Sequence, residues 1–221
     1  LRAYCRASII ELPYCAGYLV SGTLSLWTDR QNLSLHEIRS VSRCYKRMKF
    51  KLSPFRSNAE VISLTGEMNI SKGMIDIEFL ISGKLRGLSW PDNGTEPQRE
   101  HGLWEHTCFE FFIGSVASTS YHEVNLSPSG NWNCFSFTDV REGMKESETL
   151  TLRTFDSHKS DQNANLRATL DFKRLRPDSL RIGISAVIEM NTRLHYYALS
   201  HGETPDFHAR QHHALMHPES S

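Results

Sequence analysis

From Met48 onward apolar and polar residues alternate with a period of two, the pattern of strands that bury one face. In Met74-Ile75-Asp76-Ile77-Glu78-Phe79-Leu80-Ile81, the residues Ile75, Ile77, Phe79 and Ile81 share one face, while Asp76 and Glu78 share the other. Similar runs predict nine strands, over residues 60–70, 74–81, 107–113, 121–126, 131–137, 150–154, 166–172, 180–189 and 194–200. Ser71-Lys72-Gly73, Ser127-Pro128-Ser129-Gly130-Asn131 and Met190-Asn191-Thr192-Arg193 have the composition of tight turns between them. Two polar stretches, 91–102 and 156–165, lack apolar anchors and are expected to be mobile loops. Many short strands with almost no helix mean an all-β sandwich or barrel.

Residues 1–47 differ. They are net basic, hold three of the five cysteines, and contain the one helical pattern, Leu35, Ile38, Val41 and Tyr45, with Ser34 and Glu37 forming a capping box. Residues 48–221 are therefore expected to be the domain. Residues 1–47 are an extension, short and helical, either an ordinary embellishment or a segment outside the domain proper.

Composition removes several classes. Lys+Arg and Asp+Glu balance at 25 each, so no basic surplus points to nucleic acid. No apolar run reaches the length of a membrane span. Glu11 precedes the nearest thing to a signal core, 12–27, and Pro13, Ser21, Gly22 and Thr23 interrupt it, which favours the cytoplasm over secretion. An odd cysteine count with no C-x-x-C signals neither a zinc knuckle nor a disulfide framework. No G-x-S-x-G, P-loop or G-x-G-x-x-G is present, so no catalysis is expected.

The candidate chemistry lies in two strands and the histidine-rich end. With Phe109, Phe111 and Ile113 facing a core, the opposite face presents Cys108, Glu110 and Phe112; Glu110 then needs a partner, either a structural hydrogen bond or a ligand. Tyr121, Glu123 and Asn125 share one face of the next strand, an aromatic beside an amide and a carboxylate, as sugar recognition uses. Trp104 and Trp132 are stacking candidates, or else packing residues. His208 with His212, and His213 with His217, fall at i, i+4, a zinc-ligand spacing if helical; no H-E-x-x-H accompanies them, and the alternative is a tail in which His201, Asp206 and His208 fix a loop.

The strings G-L-W-E-H-T-C-F-E-F-F-I at 102–113, Y-H-E-V-N-L-S-P-S-G-N-W at 121–132, R-E-G-M at 141–144, I-S-A-V-I-E at 184–189 and Y-Y-A-L-S-H-G-E-T-P-D-F-H at 196–208 resemble bacterial DOMON-like domain proteins. These are in turn distantly similar to family 9 carbohydrate-binding modules and haem-binding DOMON domains. The resemblance implies an immunoglobulin-like antiparallel β-sandwich that binds without catalysing. One departure is Tyr196-Tyr197 where the family has Tyr-Trp, which weakens Tyr197 as a stacking platform. The expected ligand is a carbohydrate or related polar small molecule, bound through Trp104, Glu110, Tyr121, Asn125, Trp132, Tyr197, His201, Asp206 and His208. The alternatives are a haem-binding electron-transfer module, with methionine and histidine as axial ligands, and a metal-dependent hydrolase using the C-terminal histidines.

Overall fold

The computed structural model describes residues 47–56, 62–92, 94, 96–173 and 179–218. The expected helix falls almost wholly outside them. The described residues form twelve antiparallel strands: β1 (Met48–Pro54), β2 (Ile62–Ser71), β3 (Met74–Gly83), β4 (Cys108–Ser115), β5 (Tyr121–Leu126), β6 (Trp132–Phe137), β7 (Lys145–Glu146), β8 (Leu150–Lys159), β9 (Asn163–Phe172), β10 (Leu180–Met190), β11 (Arg193–Ala198) and β12 (Ala214–Met216). Two single 3₁₀ turns, Leu103–Glu105 and Arg210–His212, complete the regular structure. No helix among these residues is long and apolar enough to cross a membrane.

The strands make two layers joined through β1. Met48 to Leu52 pair with Met68 to Leu64 of β2, and the first layer continues through β3 and β9 to β8. One step further along β1, Ser53 and Pro54 lie opposite Ala198 and Tyr197 of β11, in the second layer. That layer runs β7, β6, β5, β4, β10, with β11 and β12 both lying on the far side of β10. A twisted sheet that curls onto itself in this way buries both inner faces in one core.

The two-residue period explains which residues meet there. Ile75, Ile77, Phe79 and Ile81 of β3 face Phe109, Phe111 and Ile113 of β4, and the Phe79 and Phe109 rings are 4.8 Å apart across the interface. Lys72 and Gly73, at φ 50° and 78°, form the turn between β2 and β3; Asn191 and Thr192, at 50° and 63°, form the turn between β10 and β11. Positive φ at both central residues gives the backbone twist that a two-residue hairpin needs.

The sequence pattern and the structure part company in three places. Residues 156–165 are a hairpin of β8 and β9 rather than a mobile loop; Ser160 N–H donates to the Asn163 carbonyl at 2.7 Å, and the ladder runs from Leu150↔Phe172 to Lys159↔Ala164. These strands bury only the face carrying Ala164, Leu166, Ala168 and Leu170, so their polar residues are the solvent side of an edge hairpin. The described residues of 91–102 do lie outside the named strands but are tied down: the Arg99 guanidinium sits 4.4 Å over the Trp132 ring and donates to Asn133 Oδ1 and the Ser147 carbonyl, each at 3.0 Å. Strands β1, β7 and β12 were not predicted; β7 and β12 have two and three residues, too few to show a period.

Candidate functional site

The outer face of the second layer, turned away from the core, is also largely buried. Strand register sets its rows: Ser185, Glu110, Asn125 and Asn133 lie side by side across β10, β4, β5 and β6, and the next row is Gly183, Phe112, Glu123 and Phe135. Gly114, Tyr121 and Phe137 follow. Three segments rise over this face. The 3₁₀ turn brings Trp104, which meets the Phe135 ring edge-on at 5.9 Å. The loop after β6 brings Arg141, at φ 58°, and is fastened by the Arg141 backbone N–H donating to the Tyr121 hydroxyl at 3.2 Å. The segment after β11 brings Pro205, Phe207, His208 and His213, and it can approach because β10 has glycine at 183: a Cβ there would sit 2.4 Å from His213 Nε2.

Between these segments and the sheet lies a cleft of about 350 Å³, lined by Trp104, Phe137, Met144, Val187, Tyr196, Pro205 and Phe207, with Glu110, Glu123, Arg141 and His208 as its polar groups. The volume is at the lower end for a small-molecule site, and the lining has the expected makeup of apolar walls around a few convergent polar groups. Met144 is exposed at its rim.

The floor is a connected polar network. Asn125 donates to Glu123 Oε1 at 2.8 Å and accepts from the Cys108 thiol at 3.6 Å. Ser185 Oγ donates to Glu110 Oε2 at 2.9 Å. His208 Nδ1 lies 2.7 Å from the Tyr121 hydroxyl, and its Nε2 lies 3.6 Å from Glu123 Oε2. The Tyr121 hydroxyl thus joins the Arg141 backbone N–H to the His208 ring, while Nε2 faces Glu123. The His208 ring is wedged between Phe112 and Phe137, at 5.1 and 5.2 Å. Arg141 Nη2 donates to Asp206 Oδ1 at 2.7 Å, and the same oxygen accepts the His208 backbone N–H at 3.1 Å.

Burial sets the protonation states. Glu110 is pushed up to about 8, first by desolvation and next by the charge of Glu123, with the Ser185 hydrogen bond and Arg141 opposing. Glu123 is also raised by desolvation, against the Asn125 hydrogen bond and Arg141. His208 is held down to about 4 by desolvation and then by Arg141, so it is neutral near pH 7. Desolvation raises the Cys108 thiol well above its ordinary value, which makes it a packing group and not a nucleophile.

Six of the nine residues expected from sequence converge here. Trp104, Glu110 and His208 line the cleft; Tyr121 and Asn125 support its floor; Asp206 holds Arg141 at the rim. The other three do not line it. Trp132 belongs to the inner face, where it pairs across the ladder with Leu126. Tyr197 is 1% exposed and lies opposite Ala186 in the core, so its neighbour Tyr196 takes the outer face. His201 Nε2 donates to the Ser53 carbonyl, 2.8 Å away, and its ring meets Phe55 edge-on. Sequence reading did not select Glu123, Phe137, Arg141, Met144, Val187, Tyr196, Pro205 or Phe207. Glu123 was legible as a member of the Tyr121 and Asn125 face, but the loop residues carry no period to read.

Neither alternative chemistry gains from this arrangement. His208, His212, His213 and His217 do not share an α-helix, His212 ending a single 3₁₀ turn; they bond separately to Tyr121, Ser200, the Phe207 carbonyl and Ser179. No group of three or more His, Cys, Asp or Glu among the described residues could hold a metal ion. Of the histidine and methionine that line this cleft, His208 directs Nδ1 to the Tyr121 hydroxyl and Nε2 toward Glu123, so its ring is not turned to a haem iron.

No family model matches the chain, and no curated protein matches it. A solved structure does: the chain is similar in fold to a protein from Bacteroides uniformis described as a putative carbohydrate-binding protein, with a TM-score of 0.51 and 12% identity, over 77% of this chain and 85% of that one. At that identity the likeness is one of fold, and it agrees with the all-β sandwich built above.

Proposed function

We propose that this sandwich is a non-catalytic binding module whose ligand is a carbohydrate, held in the cleft over the outer face of β10, β4 and β5. The observation that carries the reading is the pairing of a buried, hydrogen-bonded polar floor at Glu110 and Glu123 with aromatic walls at Trp104, Tyr196, Phe137 and Phe207. Aromatic faces stack on the C–H surfaces of a sugar ring, while carboxyl and amide groups read its hydroxyls. The described carbohydrate binding of the Bacteroides protein of similar fold supports the same class of ligand. The cleft offers no activated nucleophile, and both floor carboxylates serve as hydrogen-bond partners.

A glycan screen on folded protein, followed by fluorescence titration of the hits, tests this. A binding sugar should quench or shift tryptophan emission, and Trp104→Ala should weaken binding at least tenfold. The sugar should be recovered unaltered. A screen without a binder, on protein whose circular dichroism is that of a folded β-protein, removes the proposal.

A further inference from the structure

The charge on the cleft floor is unbalanced. Glu110, Glu123 and Asp206 surround a single guanidinium, Arg141, and that guanidinium makes its ion pair with Asp206. Among the described residues, neither Glu110 nor Glu123 has a lysine or arginine in ion-pair contact; His208, beside Glu123 at 3.6 Å, is hemmed in by Phe112 and Phe137. The two glutamates sit diagonally on neighbouring strands, at 3% and 5% exposure. Two such carboxylates repel and are costly to bury, and the cost is removed either by a proton or by a cation placed between them.

The walls suit the second option. Trp104, Tyr196, Phe137 and Phe207 present ring faces and edges around the opening, and aromatic faces attract an ammonium more strongly than a neutral group. The Ser185 hydrogen bond takes Glu110 Oε2 and leaves its Oε1 to meet a ligand, while at Glu123 Asn125 holds Oε1 and the neutral His208 ring, 3.6 Å from Oε2, supplies no balancing charge. With no three-donor metal group among the described residues, the matching cation is organic.

We propose that the ligand unit seated on this floor carries a protonated amine, so that the preferred carbohydrate is an amino sugar whose ammonium lies between Glu110 and Glu123. The inference rests on the carbohydrate reading and deepens it. An ammonium there would ionise Glu110, which otherwise holds its proton near neutrality. Binding therefore releases a proton.

Three β-1,4-linked disaccharides that differ at carbon 2 separate the possibilities: cellobiose with a hydroxyl, di-N-acetylchitobiose with a neutral amide, and the fully deacetylated chitosan dimer with an ammonium. In calorimetric titrations near pH 6.5 the chitosan dimer should bind at least tenfold more tightly than the other two, with proton release seen as a dependence of the heat on buffer ionisation enthalpy. Glu110→Gln and Glu123→Gln should each erase most of the preference for the chitosan dimer over cellobiose. Equal or tighter binding of cellobiose or di-N-acetylchitobiose overturns the amine and leaves the carbohydrate reading standing. Absence of binding by all three overturns the amine, and the glycan screen then decides the broader reading separately. Displacement of the dimer by millimolar calcium chloride would reassign the floor to a metal ion and also overturn the proposal. The preference is read on the wild-type protein, so it stands or falls even if a variant fails to fold.

Discussion

Glu110 shows how one position couples stability to pH. In the folded protein it loses its proton at about 8, against an ordinary value of 4.5, because burial and Glu123 both disfavour the charge. Folding takes up a proton between those values, so Glu110 makes stability fall as pH rises through that window, by up to about 1.4 kcal/mol per pH unit. Glu123, raised for the same first reason, acts in the same sense. His208 acts oppositely on the acid side: it is depressed to about 4 from 6.5, so stability is lost as pH falls through that range. Between pH 6.5 and 8 the carboxylates are left to act without it. Thermal melts should show the wild type losing stability from pH 6.5 to 8. Glu110→Gln, which keeps an acceptor for Ser185, should flatten that slope and melt higher than wild type at pH 8. A wild-type melting temperature that is constant across this range would contradict the buried, protonated carboxyl.

Single strands position the site through what they omit as much as through what they present. Strand β10 has Gly183 under His213, whose Nε2 lies 2.9 Å from the Phe207 carbonyl and whose ring lies against Phe112. A methyl group at 183 has no room, so Gly183→Ala must push this segment outward and take Phe207 off the cleft. The expected cost is roughly 1–3 kcal/mol of stability, as for other overpacked sites. Sugar affinity should fall several-fold with Glu110 and Glu123 untouched. Denaturant unfolding and the titration used for wild type read both effects. An unchanged affinity would mean that Phe207 does not contribute to the wall.

For the whole molecule, the seam is β1. Its first five residues belong to one layer and its last two to the other, and Leu52, at 2% exposure, sits where it changes over. Since both layers bury their inner faces in the same core, loss of that side chain weakens the two together. Leu52→Ala should cost about 2–5 kcal/mol, and urea unfolding should remain a single transition by tryptophan fluorescence and by circular dichroism. Two separated transitions would mean that the layers are independent.

Alternation by itself determined the all-β class, most strand positions and the face on which Glu110, Tyr121 and Asn125 lie, because side-chain direction in a strand follows parity alone. Turn chemistry likewise located the hairpins at Gly73, Gly130 and Asn191. Parity gives relative directions, however, and does not say which of two adjacent aromatic residues points inward. That choice between Tyr196 and Tyr197 was made by the pairing of β11 with β10, which places Tyr197 opposite the core-facing Ala186. Trp132 was settled the same way, through Leu126. Only the tertiary structure brought Arg141 and the segment from Pro205 to His213 over the sheet, since irregular segments have no period and their contacts lie far apart in the chain. The cleft, and the carboxylate pair on its floor, exist because of that closure.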